Sequence, residues 1–108
     1  MNLAAKKCVP CEGGTPPLSA GEIEKLAPHI DPAWGVLDRM QLRREFRFPD
    51  FRQAMAFVNR IAEIAEAEGH HPDIHVTYNR VTLELSTHAI GGLSENDFIL
   101  AAKIDHVT

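Results

Sequence analysis

Residues 50–85 run DFRQAMAFVNRIAEIAEAEGHHPDIHVTYNRVTLEL, and within them the hydrophobic period changes once. From Asp50 to Glu68, Phe51, Ala54, Met55, Val58, Ile61, Ala62 and Ala65 recur at three- and four-residue steps, with an acidic start and Gly69 where a helix stops. From Ile74 the period drops to two. Ile74, Val76 and Tyr78 alternate with His75 and Thr77, and beyond Asn79-Arg80, Val81, Leu83 and Leu85 alternate with Thr82, Glu84 and Ser86. That pattern predicts a hairpin of half-buried strands, with Asn79 suited to a positive φ in its turn. The helix needs a sheet or a second helix to cover its stripe.

Upstream, Gln41–Phe48 also alternates: Leu42, Phe46 and Phe48 share one face, Gln41, Arg43, Glu45 and Arg47 the other, and Arg44 interrupts the apolar one. Trp34–Leu37 is a short strand joined to it through Asp38-Arg39-Met40. Ser19 and Glu22 have the spacing of a capping box for a short helix carrying Ile23, Leu26 and Ala27, bounded by Pro28 and Pro32. Downstream, Gly91-Gly92 punctuates the chain and Ser94 caps a last helix with Phe98, Ile99 and Ala102. The order α-β-β-α-β-β-α predicts an α+β, two-layer fold, an antiparallel four-stranded sheet with helices on one face. It occupies residues 18–108. Residues 1–17, with Cys8, Pro10, Cys11, Gly13, Gly14, Pro16 and Pro17, read as an N-terminal arm ahead of the packed domain.

The chain has 108 residues, 24% charged and 44% hydrophobic, ordinary for one globular domain. No apolar run approaches the ~20 residues that span a bilayer, and Lys6-Lys7 is followed by no apolar segment of a secretory signal, so we expect no membrane association and a cytoplasmic protein. A net charge of −4 has the wrong sign for binding nucleic acid through the overall field. Cys8 and Cys11 are the only cysteines, too few for a secreted disulfide framework and without the βαβ context of a thioredoxin-like pair.

The chemistry lies in histidines, which exchange protons near neutral pH. Glu66, His70-His71-Pro72, Tyr78, His88 and Asp97 stand at a spacing that resembles the signature of the pterin-4a-carbinolamine dehydratases. The resemblance runs from about Leu18 to Asp105 and includes Leu42-Arg43-Arg44-Glu45-Phe46, Asp50-Phe51 and residues 91–98, GGLSENDF. It implies a hydro-lyase that removes water from a 4a-hydroxytetrahydropterin to give the quinonoid dihydropterin, supporting tetrahydropterin recycling, with no cofactor. It also implies a homodimer or homotetramer whose sheets join across an interface. The expected catalytic residues are His70, His71 and His88, with His70 and His88 as acid and base and His71 holding the pterin.

Around these, Glu66, Trp34 and Asp97 are candidate substrate-binding residues. Glu66 could tune or orient His70. Trp34 belongs by default to the core, a ring flanking the pterin being the alternative. Asp97 falls at N3 after Ser94, where a carboxylate supports a helix start, and could also orient His88 or touch ligand. Tyr78 is expected to pack the hairpin, and the glycine pair to let backbone approach a flat ligand. His29, His75 and His106 match no position. No metal is expected, because adjacent histidines diverge and one Cys-x-x-Cys supplies only two ligands. The alternative functions are a binding module, as in relatives that act as dimerisation partners of a transcription factor, and an accessory role for folate or molybdopterin-type pterins.

Overall fold

Val81, Leu83 and Leu85 are fully buried, and the sheet is built around the strand that carries them. The computed structural model describes residues 2–9 and 15–108. Strands β1 (Gly35–Leu37), β2 (Gln41–Arg47), β3 (Asp73–Thr77) and β4 (Arg80–Leu85) form one antiparallel sheet in the order β1-β2-β4-β3. The register pairs Leu42 with Leu85, Phe46 with Val81 and Ile74 with Leu83, so the apolar alternations predicted separately fall on one face. Helices α1 (Ala20–Leu26), α2 (Phe51–Glu68) and α3 (Glu95–Asp105) complete the α+β order. No helix among the described residues is long and apolar enough to cross a membrane.

Arg44 sits opposite Leu83, on the core face, because its partners are there. Its guanidinium lies 4.4 Å over the Phe46 ring and donates to Asp105 Oδ1 at 2.8 Å. Asp105 also accepts from Trp34 Nε1 and the Asp31 backbone N–H, both at 2.8 Å. Trp34 is thereby pinned in the core, edge-on to Phe46.

Three local expectations change. The apolar stripe of α2 is Ala54, Phe57, Ile61 and Ala65; Phe51 and Ala62 are exposed, since rotation toward that row lets Phe57 stack on Phe46 and Phe48. In the second hairpin the positive φ belongs to Tyr78 (50°), not Asn79, whose side chain instead donates to Phe48 O, and Tyr78 is exposed rather than packed. The described part of residues 1–17 does not stand ahead of the core: Leu3, in a 3-10 turn over Leu3–Ala5, is 2% exposed against α3. Lys103 donates to Ala4 O at 2.7 Å. Consequently α3 is buried nearly all round, from Asn96 to Ala102. Cys11 lies outside the described residues, and so does any pairing with Cys8.

Candidate active site

The loop bearing His70 and His71 is set by how α2 ends. Gly69 is left-handed (φ 65°), and Ala65 O accepts from the N–H groups of Gly69 and His70, so the chain leaves the helix at a fixed angle. Pro72 then restricts His71. Facing this loop, β4 ends at Leu85, and Thr87 N–H donates to Gly92 O at 2.8 Å. Between them His88–Ile90 makes one 3-10 turn that Gly91 closes at φ 68°. Gly92 is small for another reason: a Cβ there would meet Pro17 Cβ at 2.8 Å. The glycine pair therefore serves the chain's own turn and packing, and both glycines also line a cavity of about 350 Å³ beside His88.

These elements bring His70, His71 and His88 to one cleft of about 430 Å³, which Cys8, Val9 and Ser86 also line. That volume suits a small heterocycle. A larger cavity, about 600 Å³ between β2 and α2, is lined by Arg44, Arg47 and Arg60 and by none of these histidines. The histidine cleft is the candidate site because of its chemistry, not its size.

His70 Nε2 is 2.6 Å from Asp97 Oδ1, with side-chain exposures of 12% and 0%. The other carboxylate oxygen accepts from Thr87 Oγ1 and from the Ser94 N–H, each at 2.9 Å, so a buried carboxylate is fully hydrogen-bonded. An ionised carboxylate only accepts. Nε2 of His70 must then donate, leaving Nδ1 free to take or return a proton. Asp97 thus combines the helix-start role with orientation of His70, rather than of His88. His71 Nε2 meets Glu66 Oε2 at 2.7 Å, in solvent, so Glu66 pairs with His71 and not with His70. His88 is exposed, and among the described residues its ring has no hydrogen-bond partner. Trp34 is not brought to the cleft. Among the described residues, no group of three or more His, Cys, Asp or Glu is placed to hold a metal ion.

On the arm side, the Cys8 N–H donates to Glu68 Oε1 at 2.8 Å, and Val9 and Asn96 exchange two hydrogen bonds. Burial, and then Glu68, push the Cys8 thiol up to about 12. Sequence reasoning missed this wall, and also Thr87, whose hydroxyl supports Asp97.

The family profile described as Pterin 4 alpha carbinolamine dehydratase matches residues 16–107. The chain belongs to the pterin-4a-carbinolamine dehydratase family. A provisionally named pterin-4-alpha-carbinolamine dehydratase of Rubrobacter xylanophilus is 51% identical over 105 residues, 97% of each chain. One of Nitrosospira multiformis, named in the same provisional way, is 56% identical over 104 residues, 96% of this chain and 90% of that one. Among solved structures, a transcriptional coactivator/pterin dehydratase of Brucella melitensis aligns with a TM-score of 0.78 at 34% identity, covering 84% of this chain and 97% of that one. A pterin dehydratase-like protein, a RuBisCO assembly factor in the alpha-carboxysome, aligns at 0.60 and 25% identity, over 69% and 88%. Membership of this family and the Brucella neighbour account for the α+β fold of the chain.

Proposed function

We propose that the chain dehydrates a 4a-hydroxytetrahydropterin to the quinonoid dihydropterin, with His70 and His88 exchanging protons and His71 binding the ring. The observation that carries this reading is the buried His70–Asp97 contact opening onto a cleft shared with His71 and His88. In the reaction the lone pair of the ring nitrogen next to C4a forms a C=N bond as the C–O bond breaks. One imidazole gives the departing hydroxyl its proton, so water leaves, and the other takes the proton from that nitrogen. Solvent exchange restores both. A carboxylate behind His70 stabilises its imidazolium, and each proton transfer is worth about 10²–10⁴-fold.

His70→Ala or His88→Ala should each lower kcat with little change in KM, and the double variant should approach the uncatalysed rate. Near-normal kcat in the double variant overturns the mechanism. That the Brucella neighbour is named a transcriptional coactivator as well as a pterin dehydratase favours a second reading, a binding module for a partner protein. A wild-type chain inert towards this substrate would move the assignment there.

The reading includes self-association. β1 and β3 are the edges of the sheet, and Val36 and Val76 on them are 38% and 37% exposed. Light scattering at micromolar concentration should give two or four times the 12.0 kDa chain mass, and a monomer mass would refute the expectation.

A further inference from the structure

We propose that Cys8 and Val9 form a substrate-contacting wall of the histidine cleft, Val9 packing on the pterin ring and Asn96 acting as the positioning residue that holds Val9 there. The inference rests on the reading of the cleft as a pterin site and adds the arm to it.

Both arm residues line the cleft, yet Val9 leaves 65% of its surface to solvent. An exposed branched side chain at the rim of a cleft that also holds three histidines offers what a flat bicyclic ring needs on its face, while histidines engage its edge. The backbone beneath Val9 is tied on both sides. Val9 N–H donates to Asn96 Oδ1 at 3.0 Å, and Asn96 Nδ2 donates to Val9 O at 2.6 Å, the pattern of one rung of a strand ladder supplied by a side chain. Asn96 is 4% exposed. Cys8 is tied to Glu68 through its N–H and leans its Sγ on Asn96 O at 3.6 Å. Farther back, Lys6 pairs with Glu95 at 2.5 Å and Lys103 donates to Ala4 O.

Asn96 and Asp97 are consecutive in the first turn of α3. One helix start therefore sets both the ring of His70 and the position of Val9. A wall already ordered before substrate arrives has little ordering left to lose on binding.

The test uses the full chain carrying Cys11→Ser, which leaves Cys8 as the only thiol. Three readouts are compared with and without Val9→Ser or Asn96→Ala: the Kd for dihydrobiopterin, KM against kcat, and the rate of Cys8 alkylation by iodoacetamide. Each variant should weaken dihydrobiopterin binding and raise KM by roughly three- to tenfold, as expected for loss of part of a buried valine contact, with kcat little changed. Saturating dihydrobiopterin should slow alkylation of Cys8, and Asn96→Ala should speed it by releasing the strap. Val9→Ser is at an exposed position and should fold normally. Unaltered dihydrobiopterin affinity in that variant overturns the contact, and unaltered alkylation in Asn96→Ala overturns the positioning role. A parent chain that binds no dihydrobiopterin overturns the pterin reading itself, a different result from a parent that binds and variants that match it.

Discussion

His70 and His71 are neighbours in the chain, and each ring meets a carboxylate at nearly the same distance, 2.6 Å to Asp97 and 2.7 Å to Glu66. Their surroundings differ. The first pair is 12% and 0% exposed and its carboxylate accepts from two further donors; the second is 59% and 77% exposed. Contact distance therefore says little about what either pair is worth. In water an ion pair contributes about 0–1 kcal/mol, whereas removing one partner from a buried hydrogen-bonded pair costs about 3–5 kcal/mol. One histidine is held in a fixed orientation and the other is left adaptable, a division that suits proton transfer and ring binding respectively.

The largest effect should come from Asp97. Asp97→Ala leaves the Ser94 N–H and His70 Nε2 without their acceptor in a closed site, and Thr87 Oγ1 with Ser94 Oγ alone. A loss of about 3–5 kcal/mol follows, with the melting temperature falling by about 4–8 °C for each. Asp97→Asn keeps the shape and an acceptor oxygen, so it should fold. Lacking the charge that stabilises the imidazolium, it should lower kcat about tenfold or more. A fully active Asp97→Asn enzyme would break the contrast at its stronger end.

The partner of each carboxylate was only half legible in the sequence. Ser94 and Asp97 at cap spacing marked the helix start, but which histidine Asp97 reaches depends on how far the β3–β4 hairpin carries His88 past α3. That is a property of the sheet order, in which β4 lies inside and β3 at the edge. Strand alternation read well because burial on one face forces a period of two: Leu42, Phe46, Val81, Leu83 and Leu85 are all inside. The face of α2 read less well. Two adjacent apolar rows compete along it, and the choice falls to Phe57, whose ring has aromatic partners only in the folded sheet. The arm was the least legible part. Its prolines and glycines signal irregular backbone, and nothing local announces that Asn96, Glu68 and Lys103 will supply the hydrogen bonds that regular structure would have supplied.

The weaker pair supplies the sharpest control, because the effect expected there is small. His71→Ala should raise KM while kcat changes little, since an exposed ring without a buried carboxylate behind it contributes to binding more than to proton transfer. Glu66→Gln should do less. It removes a charge that is 77% exposed and leaves an amide able to accept from the same imidazole, so stability should stay within about 0.5 kcal/mol and kcat near that of the parent. Chemical denaturation and steady-state kinetics of Glu66→Gln beside Asp97→Asn would measure both ends of the comparison at once. If the Glu66 change lowered kcat as far as the Asp97 change, burial would not be what separates the two histidines. His71 would then have to be counted among the proton-transferring groups.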